Sequence, residues 1–156
     1  MIVLVRMHET LFRVACMYTV LNLLIIAFAV KWPELRGFAL MNTLFIALYT
    51  HAFDIFDPES TDRVFGSFGI TNRTIMYFVD FVMHVLPCVF VLVTWRHYID
   101  RSPFPIILVP CFAILYSVLV NTEWVYGGDQ PKDQSHALWA VAVTYTVCAI
   151  VLVIFV

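Results

Sequence analysis

Five apolar stretches, each about the length of a membrane-crossing helix, occupy roughly two thirds of this chain. They cover residues 10–30, 37–56, 75–95, 104–126 and 137–156. An α-helix rises about 1.5 Å per residue, so roughly 20 apolar residues match a hydrocarbon core about 30 Å thick. Of the 156 residues, 62% are hydrophobic and 13% charged, and most charges fall between the stretches. A soluble domain of this size has too little interior to hide so much apolar surface. The sequence therefore predicts an all-α fold of one domain over residues 1–156: a polytopic integral membrane bundle with five transmembrane helices.

The same composition removes several functions. A net charge of −2 leaves no basic footprint for nucleic acid. Lys31 and Lys132, the only lysines, both lie between stretches, which excludes a retinal Schiff base inside the bundle. Cys16, Cys88, Cys111 and Cys148 are far apart and lie within stretches. They read as small apolar residues, not as a zinc or redox pair. No cofactor is expected. The residues before Arg6 are too few for a secretory signal, so no removed leader is expected.

Five spans would put the two termini on opposite faces. Arg6, Arg13, Arg63, Arg73 and Lys132 share the face of the N-terminus; Lys31, Arg36, Arg96 and Arg101 share the other. So even a split of cations does not fix an orientation. Acids divide more clearly, with Glu9, Asp57, Glu59, Asp62, Asp129 and Asp133 against Glu34 and Asp100. The face with the short basic loops is read as cytoplasmic or matrix-like. Local signals mark the helix ends. Lys31-Trp32-Pro33 stops the first stretch at an interface, and Thr71-Asn72-Arg73-Thr74 forms a helix cap. Pro87 should kink the third helix, and Pro103, Pro105 and Pro110 should loosen the start of the fourth.

Ionisable groups inside spans are costly and mark candidate sites. They are His51 and Asp54 on the second stretch, Asp80 and His84 on the third, and Glu123 on the fourth. The pairs are spaced i,i+3 and i,i+4, so each shares a helix face. Three readings follow. The side chains can pair with one another to hold helices together. His51, Asp80, His84 and Glu123 can ligate a metal, since imidazole and carboxylate suit zinc and an open position permits hydrolysis. Asp80 and His84 can also relay protons.

Two patches carry a resemblance. The first is Gly37-Phe38-Ala39-Leu40-Met41-Asn42-Thr43-Leu44-Phe45-Ile46; the second is Met83-His84-Val85-Leu86-Pro87, followed a stretch later by Trp124-Val125-Tyr126. Together they resemble the androgen-induced-protein family of multi-span membrane hydrolases. That resemblance implies hydrolysis of lipid esters, branched fatty-acid esters of hydroxy fatty acids among them, with Thr43 as nucleophile and His84 as its base. A threonine hydroxyl is a poor nucleophile until a base within hydrogen-bond reach takes its proton. Asp80, one turn from His84, would orient the ring if it bends back along the helix.

The competing reading is structural, and it stands first. Small loops, 14 phenylalanines and a last stretch that reaches Val156 without a closing charge suit an accessory subunit of a larger membrane assembly. A respiratory complex or the inner membrane of a large virus would be such an assembly. Its expected partners are the lipid bilayer and other membrane subunits, with a lipid substrate in the hydrolase reading and no nucleic acid in any.

Overall fold

A computed structural model describes residues 17–56, 59–101, 104–119 and 145 of the chain. Helix α1 (Tyr18–Lys31) is 14 residues without glycine or proline. It starts from extended Met17, whose carbonyl accepts from the Leu21 N–H at 3.0 Å. It ends because Pro33 disfavours a helical residue before it, and Trp32 is extended at φ −114° and ψ 99°. A 3₁₀ turn (Pro33–Leu35) then reverses the chain into α2 (Arg36–Phe56). So short a connection leaves α1 and α2 side by side and antiparallel. The elements that follow are α3 (Ser60–Ser67), α4 (Arg73–Asp80), a π-turn (Phe81–Val85), α5 (Leu86–Trp95), a 3₁₀ segment (Arg96–Arg101) and α6 (Phe104–Leu119).

Each boundary has a local cause. α3 closes at Gly69, whose φ of 76° suits a residue without Cβ. There the Gly69 N–H bonds the Gly66 carbonyl at 2.9 Å and the Ile70 N–H bonds the Phe65 carbonyl at 3.0 Å, which satisfies the last carbonyls of the helix. Asn72 caps α4, its side-chain oxygen accepting from the N–H groups of Thr74 at 2.9 Å and Ile75 at 3.3 Å. Pro87 accounts for the π-turn. It lacks an N–H and its ring crowds the carbonyl four residues back. The chain accommodates this by widening the preceding turn, where the Leu86 N–H reaches the Phe81 carbonyl five residues back. The irregularity expected at Pro87 is therefore a widened turn, and the helix runs on from Arg73 to Tyr98.

α2 is the central element, packed by α1, α5 and α6. Every residue from 39 to 47 is buried. The core joins Ile26 and Ala29 of α1 to Leu40, Leu44 and Phe45 of α2, Val91 and Trp95 of α5, and Val109 of α6. A fully buried leucine such as Leu40 contributes about 1.5–3 kcal/mol over its exposed form. Gly37 allows the close approach of α2 to α6, since a Cβ there would stand 3.1 Å from Cγ of Pro105.

This arrangement corrects the expectation of a polytopic membrane bundle with five spans. Among the described residues one helix, Arg73–Tyr98, is long and apolar enough to cross a membrane, with 26 residues and a mean hydropathy of 2.1. Within the described residues the first stretch is represented by the 14 residues of α1 and the fourth by the 16 of α6. The second stretch is α2, whose residues 39–47 are covered by other helices of the same chain. Most of the fifth stretch lies outside the described residues. Hydropathy counts apolar residues without saying whether lipid or protein will meet them. Here much of the apolar surface meets protein, and the membrane-subunit reading built on five spans falls with them.

Candidate functional site: a carboxylate–imidazole–hydroxyl relay

Asp80 closes α4 and His84 lies one turn on, within the π-turn. Their i,i+4 spacing puts both on one face, and Oδ1 of Asp80 stands 2.7 Å from Nδ1 of His84. The other ring nitrogen, Nε2, is 3.0 Å from Oγ1 of Thr19, the second residue of α1. Side-chain exposure is 14% for His84 and 19% for Asp80, and Thr19 is 7% exposed. The partners assign the protons. A carboxylate only accepts, so Nδ1 carries a hydrogen toward Asp80; when the ring is neutral, Nε2 is then the nitrogen free to accept from the Thr19 hydroxyl.

Thr19 differs from three other helical threonines. Thr43, Thr50 and Thr94 donate to the carbonyls four residues back, at 2.6, 2.9 and 2.7 Å, the usual fate of a threonine inside a helix. Thr19 sits in the first turn and its hydroxyl meets, across the bundle, an imidazole 65 residues further along the chain. An ordered carboxylate, imidazole and hydroxyl is the arrangement that activates an alcohol as a nucleophile: the carboxylate fixes the tautomer and the imidazole takes the proton.

A second polar cluster lies beside it. The Tyr18 hydroxyl donates to Oδ1 of Asn42 at 2.7 Å, and Nδ2 of Asn42 donates to Oδ1 of Asn22 at 2.8 Å. Nδ2 of Asn22 in turn donates to Oγ1 of Thr43 at 3.1 Å, while the Thr43 hydroxyl donates to the Ala39 carbonyl. Asn22, Asn42 and Thr43 are each no more than 2% exposed. Polar groups this deeply buried need such partners, and each of these side chains has at least one; the Thr43 hydroxyl also lies 3.2 Å from Oδ1 of Asn22.

The residues singled out from sequence are distributed as follows. Asp80 and His84 meet. Thr43 does not reach His84: its hydroxyl is held by Ala39 and Asn22, and the imidazole takes Thr19 instead. His51 is exposed near the end of α2, Asp54 lies in the last turn of that helix, and Glu123 is outside the described residues. Among the described residues no three His, Cys, Asp or Glu side chains group so as to hold a metal ion. Thr19 is the residue that sequence reasoning missed. The available signal was its spacing of three from Asn22, which puts two polar groups on one face of an otherwise apolar helix.

Fold and site together define an all-α bundle carrying a largely buried carboxylate–imidazole–hydroxyl relay. No family model, curated protein or solved structure matches the chain. The resemblance to the androgen-induced-protein family is accordingly withdrawn. Its patches are short and mostly apolar, its threonine is paired elsewhere, and a single candidate span among the described residues does not fit a multi-span family.

Proposed function

We propose that the chain transfers the acyl group of a carboxylic ester to water, with Thr19 as nucleophile, His84 as general base and Asp80 as the group that orients the ring. The observation that supports this reading is the pair of contacts made by one imidazole, 3.0 Å to Oγ1 of Thr19 and 2.7 Å to Oδ1 of Asp80. Oγ1 of Thr19 attacks the ester carbonyl carbon while its proton passes to Nε2 of His84. The tetrahedral adduct collapses, the C–O bond to the leaving alcohol breaks, and the imidazolium returns the proton to that oxygen. Water, deprotonated by the same Nε2, then cleaves the acyl-threonine to the carboxylic acid and restores the hydroxyl. Asp80, 2.7 Å from Nδ1, holds the ring in place and faces the imidazolium as it forms. A β-lactone, which acylates an activated hydroxyl, tests the assignment. Peptide mapping by mass spectrometry should find the adduct on Thr19. Labelling confined to Thr43, or absent at a large excess of reagent, would overturn it.

The second reading concerns location: the helix Arg73–Tyr98 holds the chain to a lipid bilayer. Its 26 residues extend about 39 Å, more than a hydrocarbon core of about 30 Å. Tyr77, Phe78 and Val93 stand exposed along it, and Arg73 at one end and exposed Arg96 at the other suit the two interfaces. Sodium carbonate at high pH, which strips peripheral proteins, should leave the chain in the membrane pellet. Recovery in the supernatant would sink this reading.

A further inference from the structure

The second polar cluster has no part in the proton transfers, yet it joins α1 to α2 one turn away from Thr19. We infer that Asn22 is a positioning residue for Thr19, acting through its bonds to Asn42 and Thr43. This rests on the acyl-transfer reading and extends it. Asn22 and Thr19 are three residues apart on α1 and so share a face of that helix. Asn22 is 1% exposed and makes three contacts with α2: Oδ1 to Nδ2 of Asn42 at 2.8 Å, Oδ1 to Oγ1 of Thr43 at 3.2 Å, and Nδ2 to Oγ1 of Thr43 at 3.1 Å. Tyr18, next to Thr19 in sequence, is tied to the same Asn42 at 2.7 Å.

These bonds fix both the rotation of α1 about its axis and its height against α2. They add direction to the packing of Ile26 and Ala29, since a satisfied buried polar network rigidifies the helices it joins. His84 is presented from a different element, the π-turn, so the 3.0 Å contact with Thr19 exists only while α1 keeps its setting. The wide turn and the amide cluster are two independent devices that aim two side chains at one point. Thr43 thereby gains a role other than nucleophile: it receives the Asn22 amide.

The test reads the contact itself as well as the rate. In the ¹⁵N spectrum of the labelled full-length protein, the His84 Nε2 resonance reports whether a hydroxyl donates to it. Asn22→Leu, similar in volume and unable to hydrogen-bond, should shift that resonance to the position found in Thr19→Ala. Misplacement of about 1 Å at a reacting group costs on the order of 10²-fold, and Asn22→Leu should lower kcat by about that factor with KM little changed. In a Thr19→Ala background the same substitution should cost nothing further. Thr43→Val, which keeps shape and removes the acceptor of the Asn22 amide, should move the resonance partway and covers the case in which Asn22→Leu fails to fold. A wild-type Nε2 resonance in Thr43→Val and in folded Asn22→Leu would overturn the inference. An absence of Thr19 acylation in wild type would instead overturn the acyl-transfer reading and leave the resonance result standing by itself.

Discussion

Thr19→Ala and His84→Gln each lower kcat/KM for an activated ester by about 10³-fold, and the double variant is no worse than either alone. The size follows from the roles. A positioned general base contributes about 10²–10⁴-fold, and without a nucleophile the base has nothing to activate. Non-additivity is the sharper part, since two groups acting in one step are lost together while two independent structural lesions multiply. Thr19→Ser should keep most of the activity because the hydroxyl survives. Asp80→Asn should fall between these limits: an amide that donates to Nδ1 favours the tautomer with its hydrogen on Nε2, which cannot accept from Thr19. Initial rates on a p-nitrophenyl ester with the purified full chain provide the measurement. Rates within about threefold of wild type for both Thr19→Ala and His84→Gln would remove the relay from catalysis.

Half of this site could be read from sequence. Asp80 and His84 share a face by spacing alone, and intramembrane-type polar residues draw attention in so apolar a chain. Their partner could not be read, because the Thr19–His84 contact spans 65 residues and depends on which helices pack together. The patch around Thr43 pointed to α2, whereas the hydroxyl that meets His84 comes from α1. In the structure Thr43 does what most helical threonines do and bonds the carbonyl four residues back. The fold was legible to a similar degree. Helical stretches, the stop at Trp32-Pro33 and the Asn72 cap are all local, and local chemistry determines them. Topology is not local. The apolar run over residues 37–56 reads equally as a span or as a core helix, and only the burial of residues 39–47 by three neighbouring helices decides.

Arg36→Ala lowers stability by about 3 kcal/mol, or roughly 10 °C in melting temperature, without changing kcat. From sequence Arg36 is a loop cation that bears on orientation. In the structure it is the first residue of α2, where the helix dipole disfavours positive charge, so its gain must come from elsewhere. Nε donates to the Ala29 carbonyl at 3.1 Å and Nη2 to the Val30 carbonyl at 3.2 Å, both in the last turn of α1. There the dipole has the opposite sign and unsatisfied carbonyls need donors. Nη1 donates to the Tyr98 hydroxyl, and the guanidinium carbon lies 5.2 Å from the Tyr98 ring centroid and 5.9 Å from that of Trp95. One planar fork thus clasps the C-terminus of α1, the start of α2 and the end of the Arg73–Tyr98 helix. Arg36→Lys should recover less than half of the loss, since an ammonium cannot address three acceptors in that plane. Thr19 is about 15–17 Å from Ala29 and Val30 along α1, near the end held by Asn22, so the relay should keep its geometry in molecules that remain folded. Thermal melts monitored by circular dichroism, beside kcat at 25 °C, separate the two effects. An Arg36→Ala melt within about 2 °C of wild type would show that the clasp contributes little.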